Sequence, residues 1–215
     1  MTAWTDLGLL GVIVTDLFVL STTRIGACIR ALTIQGILLA VLPPLLHGGP
    51  GTSGQLVITA LVTLLIKAVV IPRLLSRAMR DAEVRREAQP FVSMHLSGLL
   101  GVSLVAFAFW VGRALRLPIA VASDLILPVS LATFFVGFLV LVSRRKAITQ
   151  VVGFLMLENG VFLFGLCLTR ALPFVVELAV LLDVLVGVFV MGIMIHHIRQ
   201  EFDHLDTFEL ASLKE

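Results

Sequence analysis

Residues 147–169 read AITQVVGFLMLENGVFLFGLCLT, with Arg144-Arg145-Lys146 before them and Arg170 after. A helix that crosses a bilayer needs about 20 mostly apolar residues, so this stretch reads as a transmembrane helix. Its one charged residue, Glu158, has eleven residues on either side. At 1.5 Å per residue the carboxylate sits about 16 Å from each end. A charge at that depth costs about 2.5–3.5 kcal/mol on insertion scales, so such residues face a bundle interior or water.

Working outward, the chain offers seven candidate spans, at 3–22, 26–46, 55–74, 92–112, 119–142, 147–169 and 173–197. The fold class is therefore all-α, a polytopic transmembrane helix bundle. Composition agrees: 59% hydrophobic residues, 14% charged and a mean hydropathy of +1.08 exclude a soluble globular domain. The net charge of +2 does not signal nucleic acid, because the basic residues form short clusters between apolar runs. Pro43-Pro44 and Gly48-Gly49-Pro50-Gly51 form a turn, while Pro118 and Pro173 open helices. The first span lacks a basic leader and carries Asp6 and Asp16, so it is not a cleavable signal.

Basic residues set the expected orientation. Arg24, Arg30, Arg73, Arg77, Arg80, Arg85, Arg86, Arg144, Arg145, Lys146, Arg199 and Lys214 fall on one side, against Arg113, Arg116 and Arg170 on the other. The positive-inside rule then puts the N-terminus outside and the C-terminus in the cytoplasm of a bacterial-type plasma membrane. Trp4 and Trp110 both fall near outer helix ends, where an indole keeps its N–H wet.

A 3+1+3 parallel internal repeat is also expected. Helices 1–3 resemble helices 5–7 in order, with Gln35 matching Glu158 and Lys67 matching Asp183. This divides the chain into a three-helix unit with a cytoplasmic amphipathic segment (1–90), a spacer helix (91–118) and a second three-helix unit with a cytoplasmic tail (119–215).

The intramembrane polar residues are the functional candidates. Asp183 lies at a depth similar to that of Glu158, and helices joined by the short Arg170–Leu172 link are adjacent and antiparallel, so the two carboxylates can face each other. Two carboxylates in a low-dielectric site cannot both ionise cheaply, which makes the pair a proton-relay candidate. Lys67 either snorkels toward the interface near Arg73 or stays buried with a carboxylate partner. Asp16 is expected to pair with Lys67 or Arg24. Glu177 follows Pro173 in a first helical turn, where the helix dipole favours an acid, and it also suits an outer access point to Asp183.

Other chemistry is absent from the sequence. Cys28 and Cys167 have no partner at metal-ligand or CxxC spacing, so no disulfide and no metal is expected. His196 and His197 point to different helix faces, which makes them poor joint ligands with His204. Arg73–Gln89 alternates in sign and reads as a short amphipathic helix on the cytoplasmic face. No Walker loop, dinucleotide fingerprint or nucleophile–base motif occurs, so no cofactor is implied and the chain is not a catalyst by itself.

Ser143–Gly160 and Glu177–Gly192 resemble component E of hydrogenase-4. More distantly, this half is similar to the K subunit of respiratory complex I and the C subunit of multisubunit sodium/proton antiporters. The resemblance implies a membrane-arm subunit beside antiporter-like neighbours, in a complex that couples redox chemistry to ion transport. Aligning Gly153 and Asn159 with the K-subunit pattern puts that family's first glutamate at Leu155, three residues from Glu158. The carboxylate here keeps the helix face but moves about 4.5 Å along it. The second acid falls at Asp183. A cation/proton antiporter subunit and a purely structural membrane anchor are the alternative readings.

Overall fold

The computed structural model describes residues 2–47, 54–81, 92–115, 123–168, 185–187 and 192. Its helices are α1 (Thr2–Ser21), α2 (Ile25–His47), α3 (Gly54–Leu64), α4 (Ile71–Asp81), α5 (Met94–Ala114), α6 (Ile126–Ser143) and α7 (Ala147–Leu168). Five of them, α1, α2, α5, α6 and α7, are long and apolar enough to cross a membrane. The all-α membrane bundle expected from the hydropathy pattern is therefore the fold. The expected seventh span, with Glu177 and Asp183, lies outside the described residues except for 185–187 and 192.

The third span is built differently from the sequence reading. A π-helical segment, Leu65–Val70, joins α3 to α4, and the flanking residues Leu64 and Ile71 keep right-handed helical dihedrals. Helix therefore runs from Gly54 to Asp81 without a break. Pro72 supplies the physical reason for the widened turn. It has no N–H to donate, and its ring would meet the carbonyl four residues back in a regular α-helix. Opening one turn to the i→i−5 pattern, as in the bond from Ile71 N–H to Ile66 O, relieves that conflict. The polar stretch from Arg73 is thus not a separate surface helix at its start. Ile71, Leu75 and Ala78 of α4 are buried, while Arg73, Arg77 and Arg80 are exposed on the other side.

Two further helix ends depart from expectation. Pro43 and Pro44 lie inside the last turn of α2 rather than ending it, at a position where little helix remains to be disrupted. Helix α6 begins at Ile126 rather than near 119, because Ser123 fixes a turn ahead of it. The Ser123 hydroxyl accepts from Leu125 N at 3.2 Å and donates to Asp6 Oδ1 at 2.6 Å.

The tightest packing is between α6 and α7, where glycines replace side chains. A Cβ on Gly137 would stand 2.8 Å from Leu157 Cα, and one on Gly153 would stand 2.8 Å from Leu141 Cα. One on Gly160 would stand 2.5 Å from Phe134 N. The two backbones are in direct contact along about three turns, the close approach that small residues permit in membranes, where van der Waals packing replaces the hydrophobic effect. Around this pair, α1 packs on α2, α5 and α6, and α2 packs on α7, the π segment and α4. Trp4 and Trp110 are exposed, at 70% and 68%.

The buried apolar residues form two layers. One gathers Val19, Leu20, Ile25, Leu32, Leu75, Val140 and Val152 toward the arginine-rich end. The other gathers Leu9, Val12, Leu39, Leu42, Val129 and Leu163 toward the opposite end. On α1, α2, α6 and α7 the same gap separates them: residues near 16, 35, 133 and 158–159 belong to neither. That gap is filled by polar side chains.

Candidate functional site

The polar layer is a connected chain of side chains drawn from five parts of the fold. Lys67 on the π segment donates to Glu158 Oε1 at 2.7 Å and to Asn159 Oδ1 at 3.0 Å, both on α7. Asn159 Nδ2 donates to Gln35 Oε1 on α2 at 3.0 Å. Gln35 Nε2 donates to Asp16 Oδ1 on α1 at 2.8 Å, and Thr133 Oγ1 on α6 donates to Asp16 Oδ2 at 2.7 Å. Every member is buried: Asp16 and Thr133 are fully enclosed, and the most exposed, Lys67, keeps 6% of its surface.

Local structure explains how a lysine reaches the bundle centre. The π turn widens the third span at Lys67, and Gly36 on α2 lets that backbone close in. A Cβ on Gly36 would be 2.9 Å from Lys67 Cβ and 3.0 Å from Lys67 O. Gly36 follows Gln35 directly, so one short stretch of α2 both admits Lys67 and supplies the amide oxygen that accepts from Asn159. The ammonium also stands 6.0 Å from the Phe162 ring centroid, one turn beyond Glu158, at the limit of cation–π range.

These contacts settle several expectations. Lys67 does not snorkel; it is buried and salt-bridged to Glu158. Asp16 does not pair with Lys67 or Arg24: Gln35 and Thr133 each hold one of its carboxylate oxygens. Glu158 is salt-bridged to Lys67, while its expected facing of Asp183 lies, with Glu177, outside the described residues. Among the described residues no group of three or more His, Cys, Asp or Glu side chains is placed to hold a metal ion. His196, His197 and His204 lie outside them.

Sequence reasoning missed Asn159 and Thr133 in this layer, and the burial of Arg144 outside it. Asn159 served only as an alignment mark, although its place beside Glu158 on an apolar helix was a signal. Thr133 gave none, because threonines in membrane helices commonly bond their own backbone. Arg144 was read as an interfacial cation, yet it is 2% exposed and its guanidinium donates to Leu20 O at 3.0 Å, closing the C-terminal end of α1.

Chemically, the layer holds, among the described residues, two carboxylates and one ammonium joined through two amides. Lys67 can shift its hydrogen bonds between Glu158 and Asn159, and hydrogen bonds made to a charged partner are the strong ones in such a site. Apolar layers on both sides keep the chain in a low dielectric, where each charge depends heavily on its partners.

The comparisons extend this picture. The chain is 32% identical over 208 residues to the uncharacterized protein Rv0085 of Mycobacterium tuberculosis, covering 95% of this chain and 93% of that one. It is 27% identical over 160 residues to hydrogenase-4 component E of Escherichia coli K12, covering 74% of each chain. Hydrogenase-4 component E of Shigella flexneri matches with the same identity and coverage. No family model matches, and no solved structure matches. A match that runs nearly end to end with the mycobacterial protein, joined by homology to component E through most of the bundle, means that this chain belongs to the family of Rv0085 and is a homologue of hydrogenase-4 component E.

Proposed function

We propose that the protein is a membrane-arm subunit of a hydrogenase-4-like redox complex and contributes to proton or cation translocation through its intramembrane carboxylates. The observation that carries this reading is the buried Lys67–Glu158 pair, extended through Asn159 and Gln35 to Asp16. Ionisable groups at membrane depth are costly and mark ion pathways. A lysine salt-bridged to a glutamate inside a bundle is a pair whose separation and reunion can accompany proton movement. Glu158, Lys67 and Asp16 are the relay members in the polar layer, with Asp183 and Glu177 as further candidates in the last span. Partners are the antiporter-like and K/C-subunit-like membrane subunits of the complex and the surrounding lipid. The chain itself carries no cofactor. Its N-terminus faces outward and its C-terminus the cytoplasm of a plasma membrane.

The homology to hydrogenase-4 component E supports the redox setting over a redox-free antiporter. The rival is a structural anchor, favoured by the completeness with which Gln35 and Thr133 satisfy Asp16. Glu158→Gln and Asp183→Asn in the assembled complex separate the two. Retained assembly with proton pumping reduced at least tenfold supports the relay. Retained assembly with unchanged pumping in both variants leaves the anchor.

A further inference from the structure

The hydrogen bonds of the polar layer all point one way. Lys67 donates to Asn159, Asn159 donates to Gln35, and Gln35 donates to Asp16. The two ends enforce this order, because an ammonium has only donors and an ionised carboxylate only acceptors. With those ends fixed, each amide has one satisfactory orientation. The amides thus report the charge of Asp16 at Lys67, across three helices.

We propose that Gln35 and Asn159 are positioning residues that couple the protonation state of Asp16 to the Lys67–Glu158 ion pair by concerted reversal of their side-chain amides. This rests on the relay reading of the same site and assigns roles to residues which that reading leaves passive. A proton on Asp16 Oδ1 turns that atom into a donor. Gln35 must then present its oxygen to Asp16 and its NH₂ to Asn159. Asn159 in turn presents its oxygen to Gln35 and its NH₂ to Lys67. Two donors then face each other, and Lys67 loses the Asn159 acceptor while keeping its bond to Glu158. Loss of the proton restores the observed order. Amides do not themselves carry the proton; they carry the information that it has arrived. A proton on Oδ2 instead meets the Thr133 hydroxyl, so Thr133 competes with Gln35 for it.

Asp16, Lys67 and Glu158 are the ionisable side chains in this layer among the described residues; the other buried charge, Arg144, is bonded to Leu20 O at the far end of α1. The full chain in lipid nanodiscs is titrated by infrared spectroscopy, following the carbonyl band of each protonated carboxyl, with assignments from Asp16→Asn and Glu158→Gln.

Asp16→Asn is expected to move the Glu158 midpoint by roughly one pH unit, the scale of interacting buried sites. Linkage requires Glu158→Gln to move the Asp16 midpoint equally. In a Gln35→Met or Asn159→Leu background the move shrinks to less than half. A move of undiminished size in those backgrounds, or none in the parent, overturns the proposal. The unmodified chain gives an independent reading that needs no substitution of the amides. The side-chain amide signals of Gln35 and Asn159, observed by nitrogen-15 NMR, must change at the pH where Asp16 titrates, and amides unchanged through that pH refute the reversal. Failure here is distinct from failure of the relay: unchanged pumping in Glu158→Gln removes the relay and leaves this coupling untouched.

Discussion

Replacing Lys67 by methionine tests the energetics of the polar layer most directly. Methionine matches the length of the lysine stem and keeps the contact with Gly36, but it removes the ammonium that stands 2.7 Å from Glu158 Oε1 and 3.0 Å from Asn159 Oδ1. Glu158, 1% exposed, loses its ammonium partner while its charge stays buried. Breaking a buried ion pair on one side costs about 3–5 kcal/mol. For a chain of this size each kcal/mol moves the melting temperature by about 2–4 °C, so Lys67→Met should melt about 6–20 °C below the parent at neutral pH. The assay is thermal unfolding of the full chain in detergent or nanodiscs, followed by the loss of the monodisperse peak. Two internal controls sharpen it. Lys67→Met/Glu158→Gln removes the buried charge that lost its ammonium and should recover most of the loss. Acidification toward the ordinary glutamate value of about 4.3 should also shrink the single-variant deficit, because a protonated carboxyl no longer needs a cation. A single variant as stable as the parent, or a double variant as unstable as the single at neutral pH, would refute the reasoning.

The helix–helix seam and the route by which Lys67 enters make separate predictions. Gly160→Ala places a methyl 2.5 Å from Phe134 N, so α7 must move away from α6. Overpacking of this kind costs about 1–3 kcal/mol, and the thermal assay should show that loss equally at neutral and acidic pH, unlike the Lys67 deficit. Gly36→Val crowds Lys67 Cβ and its carbonyl, at 2.9 and 3.0 Å from the new Cβ. It should lower stability and, because it displaces the same ammonium, combine with Lys67→Met less than additively; full additivity in a double-mutant cycle would show that Gly36 does not position Lys67.

What the sequence revealed follows from the kind of physics involved. Runs of apolar residues longer than a bilayer are one-dimensional signals, so the spans containing α1, α2, α5, α6 and α7 were legible with small errors at their ends. Glu158 and Lys67 were legible as expensive residues at depth. Their pairing was not, because Lys67 sits six residues before Arg73 and nothing in a linear reading tells a snorkelling lysine from a buried one. The decisive clue was Pro72, whose conflict with a regular helix produces the π turn, together with Gly36 on a different helix. Those effects act through three-dimensional proximity. The choice of Asp16 partners failed for a similar reason: charge suggested Lys67 or Arg24, whereas geometry supplied two neutral donors, Gln35 and Thr133. Pro43-Pro44 misled in the other direction, since a turn signal at a helix end is compatible with one more helical turn.

The placement of the layer bears on why it exists. A buried ion pair is weak evidence for stability, since well-packed apolar residues of similar volume often do as well or better. This bundle also has another source of cohesion, the glycine seam of α6 and α7, which is independent of any charge. The apolar layers on either side would close the gap cheaply if Asp16, Gln35, Lys67, Thr133, Glu158 and Asn159 were aliphatic. Instead the fold accepts an irregular turn at Lys67, forgoes a side chain at Gly36 and buries Asp16, Lys67 and Glu158 between its helices. Each of these features costs stability, and all three meet in the one polar layer. Such a concentration of local cost in an otherwise regular bundle is what a functional site produces, and the chain from Lys67 to Asp16 lies across the helices rather than along them. On the proposed reading, the charge state of one group is therefore signalled sideways between helices within the bilayer plane, which suits a subunit that works beside other membrane subunits better than one that conducts alone.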